Sequence, residues 1–255
     1  MRVVIIIPTY NEAGSTPKMV EALSKVLPTI PSHEVLVLYV DDSSPDGTGE
    51  IVKKLSLTHS WLRLLVNPTK GGLGLAYAAG MKHAMTELKA DFVMEFDADF
   101  QHPPTDIPRL IAATDSGDAD YVIGSRYIPG GSIPPEWGLH RKLLSVVGNL
   151  VARICLFLPH LHDVTGGFKL SRTQGFLDRF DFSALLSRSF AYKIHILYFM
   201  IRMGARVKEV PFHFCPRDAG ESKIISNEMF ETLRVIWRLR LAGLQGQLPG
   251  LKESK

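Results

Sequence analysis

Asp97-Ala98-Asp99 follows the run 92–96, apolar but for Glu95, and residues two apart on extended chain point the same way. Both carboxylates can therefore face one ligand, with Gln101 next in the same parity. Oxygen donors of this kind suit Mg2+ or Mn2+, which bind through one or two carboxylates while water and substrate phosphates complete the shell. Alone, such a pair is more often a solvated turn that caps a helix. Two more polar clusters weigh against that reading: Pro8-Thr9-Tyr10-Asn11-Glu12 after the run 3–7, and Asp41-Asp42-Ser43-Ser44-Pro45-Asp46-Gly47 after the run 35–40.

Acids in the second cluster are placed to hydrogen-bond ribose hydroxyls or a base, and serve equally as turn and N-cap residues. Tyr10 and Glu12 carry the same two readings. A nucleotide diphosphate needs cations, and Arg126, Arg217 and Lys223 supply them. Lys70-Gly71-Gly72-Leu73-Gly74 has neither the dinucleotide glycine spacing nor the Walker lysine placement. It is read as close packing where a loop enters a helix, with Lys70 near the donor.

Arg141, Ser145 and Asn149 are four residues apart, so on a helix they drift by only ~40° per step and share a face. That stripe suits a phosphate headgroup whose lipid tail runs along Leu143, Leu144, Val146 and Val147; the other reading is a solvent-facing stripe. Lys193 and His195 sit in an apolar helical run, where a histidine is more often packed than a ligand. His33, His59 and His83 read as surface residues. Over 228–241, Phe230, Leu233, Ile236 and Trp237 share a side, with Arg234, Arg238 and Arg240 nearby. That pattern suits peripheral attachment to a membrane, or an ordinary helix docked on the core.

The elements that must position these residues alternate. Strands are expected over 3–7, 35–40, 62–66, 92–96 and 121–124, and helices over 17–26, 49–57, 73–88 and 107–114. The pattern predicts an α/β fold, a mainly parallel sheet covered by helices on both faces, with ligands beyond the carboxyl ends of its strands. The second half is less regular: a Pro/Gly loop over 129–138, helices over 141–158 and 190–203, and one clear strand over 206–214. We expect a catalytic domain over 1–225 and a C-terminal amphipathic helix and tail over 226–255.

Composition narrows the classes further. Hydrophobic residues at 45% and charged residues at 22% exclude disorder and a membrane bundle, and a net charge of +3 is too mild to imply nucleic acid. Cys155 and Cys215 lack zinc or disulfide spacing, which fits a reducing, cytoplasmic compartment. The opening apolar run stops at Pro8, too short for a signal core, and the stretch 143–158 carries Asn149 and Arg153 and is too short to span a bilayer. The expected location is therefore peripheral, on the cytosolic face of a membrane.

Taken in order, several motifs resemble the dolichyl-phosphate mannosyltransferases, inverting glycosyltransferases of the GT-A (Rossmann-like) fold. They are the 8–12 and 42–48 segments, Gly72-Leu73-Gly74, Asp97-Ala98-Asp99 with Gln101, and Gly124-Ser125-Arg126-Tyr127. Arg141 with Ser145 and Asn149, Thr165-Gly166-Gly167-Phe168, and Arg217 with Gly220-Glu221-Ser222-Lys223 complete the series. The resemblance implies that Pro8, Tyr10, Glu12, Val40 and Asp42 hold the guanosine of GDP-mannose, that Ala98 touches the donor through its backbone, and that Asp97, Asp99 and Gln101 bind Mg2+ or Mn2+. It implies that Arg126, Arg217 and Lys223 face the phosphates, with Asp99 and Arg126 as the catalytic pair, and that Arg141, Ser145 and Asn149 receive the phosphate of dolichol or another polyprenol. The product would be polyprenyl-phosphate mannose, a sugar donor for glycosylation. Some members carry extra membrane helices, and others are short chains reaching the membrane through a small anchoring subunit; this chain resembles the short kind. It departs from the pattern at Lys193 and His195, where the family has glutamine and a carboxylate. A donor such as UDP-glucose, or a non-catalytic paralogue, are the alternatives.

Overall fold

Val3, Val4, Ile5, Ile6 and Ile7 are all fully buried, as a strand covered on both faces requires. The computed structural model describes residues 1–216 and 227–252. It places that run in β1 (Arg2–Thr9), an interior strand of a seven-stranded sheet with β2 (Glu34–Asp41), β3 (Leu62–Val66), β4 (Phe92–Glu95), β5 (Tyr121–Ser125), β6 (Lys169–Arg172) and β7 (Val207–Pro211). The order is β3-β2-β1-β4-β6-β5-β7, parallel except for β6, which runs antiparallel to both neighbours. The helices are α1 (Thr16–Val26), α2 (Thr48–Ser56), α3 (Leu73–Thr86), α4 (Ile107–Ala112), α5 (Leu139–Cys155), α6 (Tyr192–Arg202) and α7 (Asn227–Leu244).

Alternation along the strands splits the core in two. Val4, Ile6 and Leu38 pack with Tyr77 and Met81 of α3, Phe199 of α6, and Val235 and Leu239 of α7. Val3, Ile5 and Val37 meet Met19 and Leu23 of α1, Val52 of α2 and Leu110 of α4 on the other face. Each such side chain contributes about 1.5–3 kcal/mol on burial. The approach of α3 depends on Gly80, where a Cβ would lie 2.6 Å from Ile6 Cγ2 and 2.9 Å from Val40 Cγ2.

β2 and β4 flank β1 on opposite sides, so the chain order reverses there and opens a crevice above the carboxyl ends of these strands. The expected strands and helices form within a few residues of their expected bounds, and the 206–214 strand pairs continuously over Val207–Pro211, with an isolated bridge from His213 to Ser132 beyond it. β6 is the addition. Its sequence, Lys-Leu-Ser-Arg, lacks the β-branched apolar run that marks the others, yet Lys169, Leu170 and Ser171 are fully buried between β4 and β5.

α7 buries Val235, Ile236 and Leu239 in the core that α6 shares. Ile236, expected on the membrane-facing side with Phe230, Leu233 and Trp237, is therefore a core residue, while those three are exposed. No helix of the described residues is long and apolar enough to cross a membrane.

Candidate active site

The loops leaving β1, β2 and β4 each hold one non-glycine residue in the left-handed region: Asn11 at φ 58°, Ser43 at 52° and Phe100 at 61°. Such strain persists where surrounding contacts enforce it, and it concentrates at ligand sites. Here the contacts are visible. Asn11 N–H donates to Ser44 Oγ (3.0 Å), Glu12 N–H to Thr48 Oγ1 (2.9 Å), and Ala13 N–H to Asp46 Oδ2 (2.9 Å), stitching the first two loops together.

The acids of the second loop divide by role. Asp41 accepts from Ser44 N–H (3.0 Å) and Asp46 from Thr48 N–H (3.0 Å), so both are turn and cap residues. Asp42, buried, accepts from Asn67 Nδ2 (2.7 Å) and from Gly71 N–H (3.2 Å), drawing in the segment that carries Lys70. The Lys70 ammonium lies 3.7 Å from the centre of the Tyr10 ring, so Tyr10, Asp42 and Lys70 meet at one edge of the crevice. Glu12 accepts from Ser15 Oγ (2.9 Å), and Pro8 is half-buried at the end of β1. Val40 corrects the expectation drawn for it: it is fully buried against α3 and gives the crevice no surface. The glycines of 71–74 behave as packing residues, for Gly74 N–H donates to Arg188 O (2.8 Å) and a Cβ at Gly72 would lie 2.7 Å from that oxygen.

Past β4, Asp97 Oδ1 accepts from Tyr77 Oη (2.8 Å), and Oδ2 faces Lys193 Nζ at 3.5 Å and His102 Nδ1 at 3.8 Å. Burial pushes this carboxyl up, but Lys193 above all more than offsets it, so it stays below the usual carboxylate range. Burial drives His102 down to about 4, so its ring is neutral at pH 7 and adds no charge of its own there. That ring stacks on Phe168 at 5.1 Å. Ala98 is buried between the two acids, and Asp99 Oδ1 accepts from Gln101 N–H (3.1 Å). Among the described residues no group of three His, Cys, Asp or Glu could hold a metal ion. Asp97 and Asp99 are both partly exposed, and a pair of carboxylates of this kind fits an ion that brings phosphate oxygens with it.

Arg126 departs from the expected arrangement. Its Nε donates to Asp163 Oδ2 (2.7 Å) and its Nη2 to Asp163 Oδ1 (2.8 Å) and Thr165 Oγ1 (3.0 Å), with the guanidinium 9% exposed and Asp163 fully buried. The fork clamps the 163–167 loop through Nε and Nη2. Burial pushes the Asp163 carboxyl up, and Arg126 more than reverses it.

Asn149 is corrected likewise. Its Nδ2 donates to His162 O (2.5 Å) and its Oδ1 accepts from Val164 N–H (2.9 Å), so both ends of the amide hold the backbone on either side of Asp163. Ser145 Oγ hydrogen-bonds Tyr127 Oη (2.6 Å), and the Arg141 guanidinium lies 4.0 Å over the Trp137 ring. α5 is thereby tied to the Arg126–Asp163 unit while showing a wide apolar face: Leu139, Leu143, Leu144, Val146 and Ile154 are 46–86% exposed.

His195 points away from the crevice. Its Nδ1 accepts from Leu186 N–H (3.3 Å), its Nε2 donates to Pro249 O (2.9 Å), and burial takes it down to about 4. Lys193, two residues earlier, turns into the site. His33, His59 and His83 are half-buried rather than surface residues, and His33 pairs with Asp115 at 2.7 Å. Arg217 and Lys223 lie outside the described residues. Sequence reasoning missed His102, Asp163 and Tyr77; adjacency of His102 to Gln101 was the one available signal.

The family model of glycosyl transferase family 2 matches residues 4–180. An undecaprenyl-phosphate mannosyltransferase of Micrococcus luteus is 38% identical over 252 residues, 97% of this chain and 99% of that one. A polyprenol monophosphomannose synthase of Mycolicibacterium smegmatis is 35% identical over 248 residues, 97% of this chain and 89% of that one. A solved mannosyltransferase from Pyrobaculum calidifontis, in complex with GDP-Man and Mn2+, shares the fold with a TM-score of 0.57 at 20% identity, over 96% of this chain and 62% of that one. With a parallel-sheet crevice, acids beyond β4 and 35–38% identity over nearly the whole chain to two curated relatives, the chain belongs to glycosyl transferase family 2, among the polyprenyl-phosphate mannosyltransferases.

Proposed function

We propose that this chain moves mannose from GDP-mannose to the phosphate of a polyprenol, dolichol included, with inversion at the anomeric carbon. The observation that carries this reading is the joining of two surfaces. The carboxylates beyond β4 suit a charged, water-borne donor, and the 163–167 loop beside them is pegged to α5, whose exposed apolar face suits a lipid. A phosphorylated lipid is the acceptor that needs both.

This acceptor needs no base from Lys193, which turns into the site, while His195 faces away from it. A hydroxyl must lose a proton as it attacks and needs a base; a phosphate monoester has its second pKa near ~6 and is mostly dianionic at neutral pH. One of its oxygens forms the new bond to the anomeric carbon, and the bond from that carbon to the GDP oxygen breaks with its electron pair leaving on GDP. A divalent ion, Mg2+ or Mn2+, would be held by Asp97, Asp99 and Gln101 and would stabilise charge on the departing diphosphate. Tyr10 and Asp42 receive the nucleoside beside Lys70, Arg217 and Lys223 meet the phosphates, and Arg141 with Ser145 receives the lipid phosphate. Arg126 and Asn149 hold the loop between these sites.

Attachment is peripheral, on the cytosolic face of a membrane, through α5 together with Phe230, Leu233 and Trp237 of α7. Arg240 lies 3.8 Å over the exposed Phe157 ring, joining the two helices' edges with a cation suited to anionic headgroups. A membrane-anchoring subunit would seat on this same face. The test is a donor screen on vesicles containing polyprenyl phosphate, with radiolabelled GDP-mannose and UDP-glucose offered in parallel. Label should pass into the lipid phase from GDP-mannose; transfer from UDP-glucose alone would overturn the assignment of the donor.

A further inference from the structure

Lys193 is a buried cation beside the carboxylates beyond β4, and the fold has made room for it. The side chain is 1% exposed, walled by the rings of Tyr77 and Phe190 at 5.4 and 5.2 Å, and its ammonium stands 3.5 Å from Asp97 Oδ2. Gly167 opens the space, since a Cβ there would fall on the ammonium. The backbone is fixed as well: Lys169 Nζ donates to the Lys193 carbonyl at 3.1 Å. The carboxylate best placed to hold a divalent ion thus already has a cation on one oxygen and the Tyr77 hydroxyl on the other.

We propose that Lys193 is a built-in counter-cation for Asp97 that keeps a divalent ion out until a nucleotide diphosphate arrives, so that metal and GDP bind as a pair. This rests on the reading that Asp97 and Asp99 form the metal site. Without nucleotide, an entering ion meets at Asp97 a carboxylate already compensated by a positive charge 3.5 Å away, which repels the ion. A diphosphate adds enough negative charge and oxygen donors to satisfy both cations. The consequence is ordering: the ion is not lost to the empty site, and the leaving group carries it in.

The test is Mn2+ binding followed by the electron-spin signal of the free ion, for the wild type, Lys193→Gln and Lys193→Met, each with and without saturating GDP, with circular dichroism to verify folding. In the wild type, GDP should tighten Mn2+ binding at least tenfold. Both variants should bind Mn2+ alone at least tenfold more tightly than the wild type, while affinity in the presence of GDP moves less than threefold. Folded variants that bind Mn2+ alone no better than the wild type overturn the role of Lys193 and leave the metal site standing. If the variants do not fold, equal wild-type affinity with and without GDP overturns the proposal. No Mn2+ binding by the wild type even with GDP overturns the metal site itself and this inference with it.

Discussion

Asn149→Ala separates two roles that the spacing of Arg141, Ser145 and Asn149 could not separate. As a ligand for the acceptor phosphate, Asn149 would matter for acceptor affinity and little for stability. As a peg, it matters for the fold. The amide is 4% exposed and makes two hydrogen bonds to backbone, to His162 O at 2.5 Å and from Val164 N–H at 2.9 Å. Truncation removes both and leaves the buried Val164 N–H without a partner, a loss of about 1–3 kcal/mol, with roughly 0.5–1 kcal/mol more for the partly exposed carbonyl. About 1.5–4 kcal/mol in total corresponds to a fall in melting temperature of about 3–16 °C for a chain of this size. The assay is paired: thermal unfolding by circular dichroism, and initial rates against polyprenyl phosphate concentration below the new melting point. We expect a clear loss of stability, and an activity loss in which turnover falls with acceptor affinity because the loop bearing Asp163 loosens. Unchanged melting with a tenfold weaker acceptor affinity would refute the peg and restore the phosphate contact.

Asp163→Asn should be the more severe change, since it strips the counter-charge from a guanidinium 9% exposed; a loss of about 3–5 kcal/mol is expected, and denaturant unfolding within 1 kcal/mol of the wild type would contradict it. His195 is held neutral with a pKa of about 4, below its unfolded value of 6.5. Its contribution is full above pH 6.5 and is lost as pH falls toward 4, at most about 1.4 kcal/mol per pH unit. His195→Gln should therefore flatten the stability profile between pH 6.5 and 4.5 relative to the wild type, and superimposable profiles would refute this. Replacing the exposed Leu143 and Trp237 together by Glu should abolish co-sedimentation with anionic vesicles while leaving the melting temperature within a few degrees; undiminished co-sedimentation would rule out the α5–α7 face.

What the sequence disclosed and what it concealed follow from the range of the forces involved. β1 and β2 were legible because a buried parallel strand leaves a run of apolar residues, and the polar clusters after β1, β2 and β4 were legible because such sheets bind ligands there. β6 was not, because Lys169 and Ser171 are buried by pairing with partners far along the chain, and no local pattern records that. The same holds for the site. Asn149 and Arg126 have the residue types of phosphate ligands, and their commitment to the 162–165 loop lies 13 to 39 residues away. Lys193 and His195 share one helix, yet Asp97 captures the first from 96 residues away and Pro249 the second from 54. Their opposite directions are a tertiary fact.

The central claim is that Asp97 and Asp99 serve sugar transfer to a phosphorylated lipid, and one measurement meets it directly. Purified chain is mixed with radiolabelled GDP-mannose, Mn2+ and vesicles carrying polyprenyl phosphate, and label in the lipid phase is counted for the wild type, Asp99→Ala and the wild type in excess chelator. The account predicts transfer by the wild type, a loss of at least a thousandfold in Asp99→Ala (about 4 kcal/mol of transition-state stabilisation), and loss of transfer in chelator. Full transfer by Asp99→Ala, or by the wild type stripped of metal, would contradict it.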